Sequence, residues 1–259
     1  MNFLLVFIAN LLINLLLANK IHAQKNKNAF DVKTVVKEDF GSNLSGGIDK
    51  KSIYLGNIDL IMTFDTEKGK LWKGGKFFVY GLNNHGISLS SLVGDIQISS
   101  NIEAEPNTRL YQFWYQHQIG NLSITVGQHD LNSEFAFTDF GGLFLNSSFG
   151  IQPDISTNVP VSIFPIASLG GIIKWNISDQ FTLMAAVYDG NPGDEASNPN
   201  SIDWKINSEE GFTTIYEIQY NFIKDSLTMG SYKLGIWHHT ADFISDHDNK
   251  TYQGNKGIY

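Results

Sequence analysis

The chain is 259 residues long, has a formal net charge of −8, contains no cysteine and has one arginine, Arg109. The lack of a basic surface argues against a nucleic-acid partner, and the lack of cysteine excludes a disulfide scaffold and thiolate metal sites. No GxSxG, HExxH or phosphate-binding glycine motif occurs. The sequence therefore gives no support for an enzyme and requires no cofactor.

The N-terminus has the pattern of an export signal. An apolar run, Leu4–Leu17, precedes Ile21–Gln24, which offers a cleavage site after Ala23. We therefore predict that residues 1–23 are a secretory signal peptide and that the mature domain is 24–259. Because no Lys or Arg precedes the apolar run, a retained membrane anchor is the alternative.

Apolar and polar residues alternate with a period of two along the mature chain, which predicts an all-β, antiparallel structure. We expect nine strands and part of a tenth. The predicted strands are Phe30–Lys37, Ser52–Phe64, Lys76–Leu82, Arg109–Gln118, Leu122–His129, Pro165–Trp175, Phe181–Tyr188, Phe212–Tyr220, Gly230–His239 and the start of a strand in Thr251–Tyr259.

The predicted connections alternate between short turns and long polar segments. Short turns fall at 65–75, 119–121, 176–180 and 221–229, and long segments at 83–108, 130–163 and 189–211. In an outer-membrane barrel the short turns share one end and the long loops the other, so the pattern favours a transmembrane β-barrel. A secreted, soluble carbohydrate-binding β-sandwich is the alternative.

Six further stretches follow one another along the chain: SIYLGNIDLIMTFD at Ser52–Asp65, VGDIQISSNIEA at Val93–Ala104, RLYQFWYQ at Arg109–Gln116, VGQHDLNSEF at Val126–Phe135, GLFLNSSFG at Gly142–Gly150 and LGIWHHT at Leu234–Thr240. In this order and spacing they resemble the carbohydrate-selective porins of the OprB type. The resemblance implies a barrel of about sixteen strands in the outer membrane of a Gram-negative bacterium. It also implies facilitated diffusion of carbohydrates, with outer-membrane lipid as the other partner and no cofactor.

The chain departs from that family in its number of strands. Nine or ten strands are too few, and Gln253–Tyr259 lacks the alternating apolar residues of a closing strand. We therefore expect a partial barrel, from a fragment or an incomplete gene product. A general, unselective diffusion porin is a second alternative, and the transported sugar and the oligomeric state stay open.

The central predicted hairpin supplies candidate pore-lining residues. Sugars are bound by aromatic faces together with amides and charged groups. Gln112, Trp114 and Gln116 share one face of the strand and are predicted to line the pore. Tyr111, Phe113 and Tyr115 share the other face and are predicted to point towards lipid. The alternative for Trp114 is a lipid-facing girdle residue.

Charged residues near the long segments are further candidates. Glu103 and Arg109 lie where the segment 83–108 meets its strand. Regular alternation would point Arg109 at lipid, where a charge is costly, so we expect it at the water interface or turned inward by a bulge. The segment 130–163 is predicted to fold into the pore with Glu134 and Asp139 as its charges; an ordinary surface loop is the alternative.

Two acidic stretches resemble metal sites only in composition. His238 and His239 lie near Asp242, Asp246, His247 and Asp248, but adjacent residues of a strand point to opposite faces and cannot share one ion. Asp189–Asp194 lacks the distal acid of a calcium-binding loop, and turn chemistry explains it. No metal site is predicted.

Overall fold

The computed structural model describes residues 28–138, 140–225, 227–245 and 247–259; the predicted signal peptide lies outside these residues. The described strands form one antiparallel sheet of ten strands, each paired with the next in the chain. They are β1 (Phe30–Ser42), β2 (Ser52–Asp65), β3 (Gly75–Gly86), β4 (Asn107–Ile119), β5 (Leu122–His129), β6 (Ser168–Asn176), β7 (Phe181–Asp189), β8 (Phe212–Lys224), β9 (Leu227–Ile244) and β10 (Thr251–Ile258). β1 and β10 are its two edges, so the sheet is open, as expected for part of a barrel.

Because consecutive strands are antiparallel, the connections lie alternately at the two ends of the sheet. Three long loops share one end: the clasp loop (87–106, with α1 at Ser90–Val93), the inward loop (130–167, with α2 at Pro153–Ser156) and the strap loop (190–211). The connections 43–51 and 245–250 lie at the same end. The opposite end carries the short turns 66–74, 120–121 and 177–180 and the connection that leaves β8 at Asp225. This is the sorting that the sequence predicts.

The turn predicted at 221–229 is present, but its predicted bounds are too wide. β8 continues to Lys224, and β9 begins at Leu227 and continues to Ile244. The ladder between the two strands shifts register at Phe222 and Ile223. Such a bulge breaks the period of two, and this part of the strand pair therefore resembles a turn in the sequence.

The two faces of the sheet have opposite chemistry. The outer face exposes large apolar side chains: Leu60, Met62, Phe113, Val126, Ile173, Leu183, Val187, Ile218 and Leu234. The inner face buries polar side chains: Asn57, Asp59, Asn84, Gln112, Thr125, Thr213, Glu217 and His239. A water-soluble protein buries apolar and exposes polar groups, so this arrangement fits a sheet with lipid on its outer face. No helix within the described residues is long and apolar enough to cross a membrane.

The inward loop covers the inner face of β6 to β9. Its apolar side chains pack against apolar side chains of these strands and form the largest core of the described chain. Leu131, Phe135, Ile155, Val159 and Val161 contribute from the loop, and Ile172, Met184, Ala186, Tyr188, Ile215 and Trp237 from the strands. The loop is therefore held by hydrophobic burial rather than extending away from the sheet.

A β-bulge in β4 places Tyr111 on the inner side of the sheet, so its predicted lipid-facing position is wrong. The β3–β4 ladder pairs Tyr80 with Gln112 and Gly81 with Leu110, so Tyr111 is the extra residue. Its ring turns to the inner side, 5.1 Å from Tyr80 and 5.9 Å from Phe164 between ring centroids. Phe113 lies on the outer face as predicted, whereas Tyr111 does not, because the bulge reverses the alternation.

Gly127 allows close contact between β4 and β5. Its φ is +134°, and a Cβ atom here would lie 2.4 Å from the Phe113 carbonyl oxygen. Gly127→Ala is therefore expected to lower the free energy of unfolding by about 1–3 kcal/mol, measured by urea titration in detergent. Gly171→Ala is the control, since a Cβ there meets no atom within 4 Å. Equal stability of the two variants would contradict the prediction.

Candidate functional site

The hairpin of β4 and β5 positions the three predicted pore-lining residues on the inner face. The Trp114 ring stacks on Phe78 with centroids 4.5 Å apart, and its Nε1 donates to Gln112 Oε1 at 3.1 Å. Gln116 Nε2 donates to Thr125 Oγ1 at 3.1 Å. Trp114 is thus a half-buried inner-face residue, and contact between these three side chains and a sugar stays a prediction.

Arg109 is buried on the inner side beneath the strap loop. The bulge at Tyr111 shifts the alternation, so that Arg109 lies on the inner face although Phe113 lies on the outer face. An inward position caused by a bulge is the second of the two positions that the sequence predicts for Arg109. The guanidinium donates from Nη2 to Glu195 Oε1 at 2.7 Å, from Nη2 to the Glu105 carbonyl at 2.9 Å, and from Nη1 to Asn84 Oδ1 at 2.8 Å. The one arginine of the chain therefore ties β3 and β4 to the strap loop.

A chain of buried polar contacts continues from Arg109 across the inner face. Asn84 Nδ2 donates to Asn57 Oδ1 at 2.9 Å, and Asn57 Nδ2 donates in turn to Asp59 Oδ1. Asp59 accepts an ion pair from Lys37 Nζ at 2.9 Å. Four strands thus contribute to one connected network in which the buried charges are compensated.

The strap loop also fills a gap between β4 and β5. The two strands pair only from Phe113 onwards, which leaves the start of β4 free of a β5 partner. Here Leu110 N donates to the Asn200 carbonyl at 3.0 Å. Gln128 Nε2 donates to the Ser201 carbonyl at 2.8 Å, and Gln128 Oε1 accepts from Trp204 Nε1 at 2.9 Å.

Polar contacts fix the inward loop to the inner face. Glu134 forms an ion pair with Lys174 of β6 at 2.7 Å. Glu217 of β8 accepts from the Ala136 amide at 2.8 Å and from the Tyr259 hydroxyl at 2.6 Å. Asp139, the second predicted charge of this loop, lies outside the described residues.

A pocket of about 510 Å³ lies between the three long loops. Its lining residues include Glu103, Asp130 and Glu195 together with Asn101 and Phe164. The clasp loop and the inward loop are joined beside it, since Asn101 N donates to the Leu145 carbonyl at 2.7 Å. Carboxylates, amides and an aromatic ring around one cavity are the groups that bind sugar hydroxyls and sugar C–H faces.

Two carboxylates in this pocket lack a cationic partner among the described residues. Glu103 Oε1 accepts from the Ser88 hydroxyl, whereas its Oε2 is buried without a hydrogen-bond partner. Asp130 Oδ1 accepts from the Asn132 amide at 2.9 Å. Burial raises the pKa of the Asp130 carboxyl to about 6, and hydrogen bonding with Tyr111 partly opposes this shift.

The side chains of the two acidic stretches make contacts within the protein. His239 is buried on the inner face with Nε2 2.7 Å from the Gly190 carbonyl, whereas His238 is on the opposite face. Asp246 lies outside the described residues, and within these no group of three or more His, Cys, Asp or Glu could hold a metal. Asp194 Oδ1 accepts from the amides of Ala196 and Ser197, which is turn chemistry and lowers the pKa of this carboxyl.

The sequence did not identify several residues of this site. Asn84, Glu195 and Glu217 belong to it through contacts between segments that are distant in the chain. One signal was available for Glu195. A lone arginine in an apolar strand requires a carboxylate partner, but the sequence contains many acids and does not say which one.

An exposed apolar outer face, a polar inner face and long loops folded across it define the architecture of an outer-membrane β-barrel channel. The chain belongs to the OprB family of carbohydrate-selective porins, whose description "Carbohydrate-selective porin, OprB family" matches residues 49–257. This is a family of channels, not of enzymes, in the outer membrane of Gram-negative bacteria.

Two solved structures from Pseudomonas putida are similar to the chain. The high-pH structure of OprB is 19% identical, with a TM-score of 0.78, and the match covers 89% of this chain and 60% of that one. The low-pH structure of OprB is 16% identical, with a TM-score of 0.51, and the match covers 82% and 56%. The chain thus spans about three fifths of their length. No curated protein matches it.

Proposed function

We propose that the protein is an outer-membrane porin through which carbohydrates diffuse along the inner face of the sheet. One observation supports this most directly: the long loops form a cavity lined by acidic, amide and aromatic residues, at one end of a sheet whose inner face carries Trp114 and its two glutamines. Such a wall can replace the hydration of a sugar step by step without holding the sugar tightly, as diffusion through a pore requires.

The test is reconstitution of the purified protein into liposomes and planar bilayers. We expect liposomes to swell in monosaccharide solutions, and we expect added sugar to reduce the single-channel conductance reversibly. Absence of swelling, in preparations that conduct ions, would exclude sugar passage. The signal peptide is tested separately, by N-terminal sequencing of the exported protein, which should begin at Gln24.

A general diffusion porin is the second candidate, because a polar inner face also passes small solutes without selectivity. The same bilayers separate the two functions: a general porin conducts but shows no saturable block by sugar. A secreted β-sandwich would need a second sheet packed face to face, whereas the described strands form one sheet.

Trp114→Ala is expected to weaken sugar block several-fold, since a stacking aromatic contributes about 0.5–1.5 kcal/mol. The measurement is the sugar concentration that half-blocks the conductance. Trp175→Ala is the matched control, because this tryptophan is half-exposed and its ladder partner is the outer-face residue Leu122. An unchanged half-blocking concentration in Trp114→Ala would contradict a pore-lining role for this residue.

A further inference from the structure

We propose that the pocket between the long loops makes the pathway selective by charge, so that it passes neutral and cationic amino sugars and excludes acidic sugars. This inference rests on the proposed function and specifies its substrate class. The pocket is lined by Glu103, Asp130 and Glu195. Its selectivity depends on which of these carboxylates carry a negative charge that no neighbouring cation neutralises.

No Lys, Arg or His occurs among the described residues that line the pocket. Arg109 is paired with the pocket residue Glu195 at 2.7 Å, and the Arg109 side chain is fully buried. Lys174 is likewise held by Glu134. Glu103 and Asp130 therefore face the pocket as the two carboxylates without an ion pair.

The Glu103 carboxylate also has one oxygen that lacks a hydrogen-bond donor. Glu103 is one of the residues that line the pocket, and its Oε2 is buried and has no hydrogen-bond partner among the described residues. A buried carboxylate oxygen without a donor is costly. A rotation of the Glu103 side chain into the pocket would let a sugar hydroxyl or ammonium group supply that donor, whereas the carboxylate of an acidic sugar would bring a second negative charge.

The expected size of the effect follows from Coulomb interaction. Attraction between two opposite unit charges about 4 Å apart in water raises the equilibrium constant of their association by a factor of about five. The factor is larger where water is partly excluded. We therefore expect glucosamine to pass at least about five-fold faster than glucose near pH 7. Glucuronate, which is similar in size, should be slower than glucose by at least a similar factor.

The experiment compares the three solutes in proteoliposomes of the purified protein. The expected order is glucosamine, glucose, glucuronate, and Glu103→Gln together with Asp130→Asn should bring the three rates together. Glu209→Gln is the control, since this exposed acid of the strap loop does not line the pocket.

Equal rates for all three solutes in the wild type would overturn the charge selectivity and leave the proposed porin intact. Passage of none of them, with ion conductance present, would overturn the porin and the selectivity together.

Titration of the wild type keeps the test independent of whether the variants fold. Asp130 interacts electrostatically with the phenols of Tyr80, Tyr111 and Tyr188. It lines the pocket together with Glu103 and Glu195, and His129 precedes it in the chain. Its pKa of about 6 means that its negative charge is lost as the pH falls through 6. The preference for glucosamine over glucose should therefore decrease between pH 7 and 5, and a preference that is constant or increases over this range would contradict the assignment.

Discussion

Replacement of Arg109 by alanine is expected to lower the free energy of unfolding by about 3 kcal/mol, measured by urea titration in detergent micelles. The side chain is buried and donates to Glu195, Asn84 and the Glu105 carbonyl. Breaking a buried ion pair costs about 3–5 kcal/mol. We expect the lower end of this range because the Glu195 side chain is 31% exposed and can recover hydration.

Two further variants decide whether the ion pair itself is responsible. Lys205→Ala breaks an exposed pair, Lys205–Asp203, whose side chains are 87% and 47% exposed, so it should change the stability by less than about 1 kcal/mol. A double-mutant cycle of Arg109→Ala with Glu195→Gln should show coupling of about 0.5–3 kcal/mol. If Arg109→Ala were no more destabilising than Lys205→Ala, Arg109 would not anchor the strap loop.

The strands and their faces could be predicted because a period of two encodes directly which side chains share a face. Gln112, Trp114 and Gln116 are together on the inner face for that reason. The same rule failed where a bulge adds one residue, at Tyr111 and near Phe222. A bulge reverses the alternation but leaves the composition unchanged. At Tyr111 the nearby charge of Arg109 made a bulge one of two expectations, whereas the sequence near Phe222 contains no local signal.

The contacts of the long loops could not be predicted, because they join segments far apart in the chain. Glu195 reaches Arg109, and the Ala136 amide reaches Glu217. The sequence predicted that 130–163 folds into the pore, with an ordinary surface loop as the alternative. The sequence does not indicate which strand residues bind the loop, because any polar group of the inner face could be a partner.

Replacement of Glu217 by alanine is expected to release the inward loop and to raise the mean single-channel conductance and its noise. Glu217 is 3% exposed and accepts from the Ala136 amide, the Tyr259 hydroxyl and Gln219 Nε2. A hydrogen bond to a charged group contributes about 1.5–3 kcal/mol. Loss of the bond to Ala136 should therefore increase the population of released loop at least about ten-fold. Planar-bilayer recording measures this change.

Local release is the expected result because the loop has other attachments. The Glu134–Lys174 ion pair and the bond from Trp237 Nε1 to Asp154 Oδ2 at 3.2 Å would still hold both sides of the loop. Glu67→Ala is the matched control: it removes an exposed carboxylate from the turn 66–74, at the end of the sheet opposite the long loops. Because the control changes charge without touching the loop, equal conductance changes in both variants would mean that the loop does not narrow the pathway. A larger conductance in Glu217→Ala alone would assign the constriction to the inward loop.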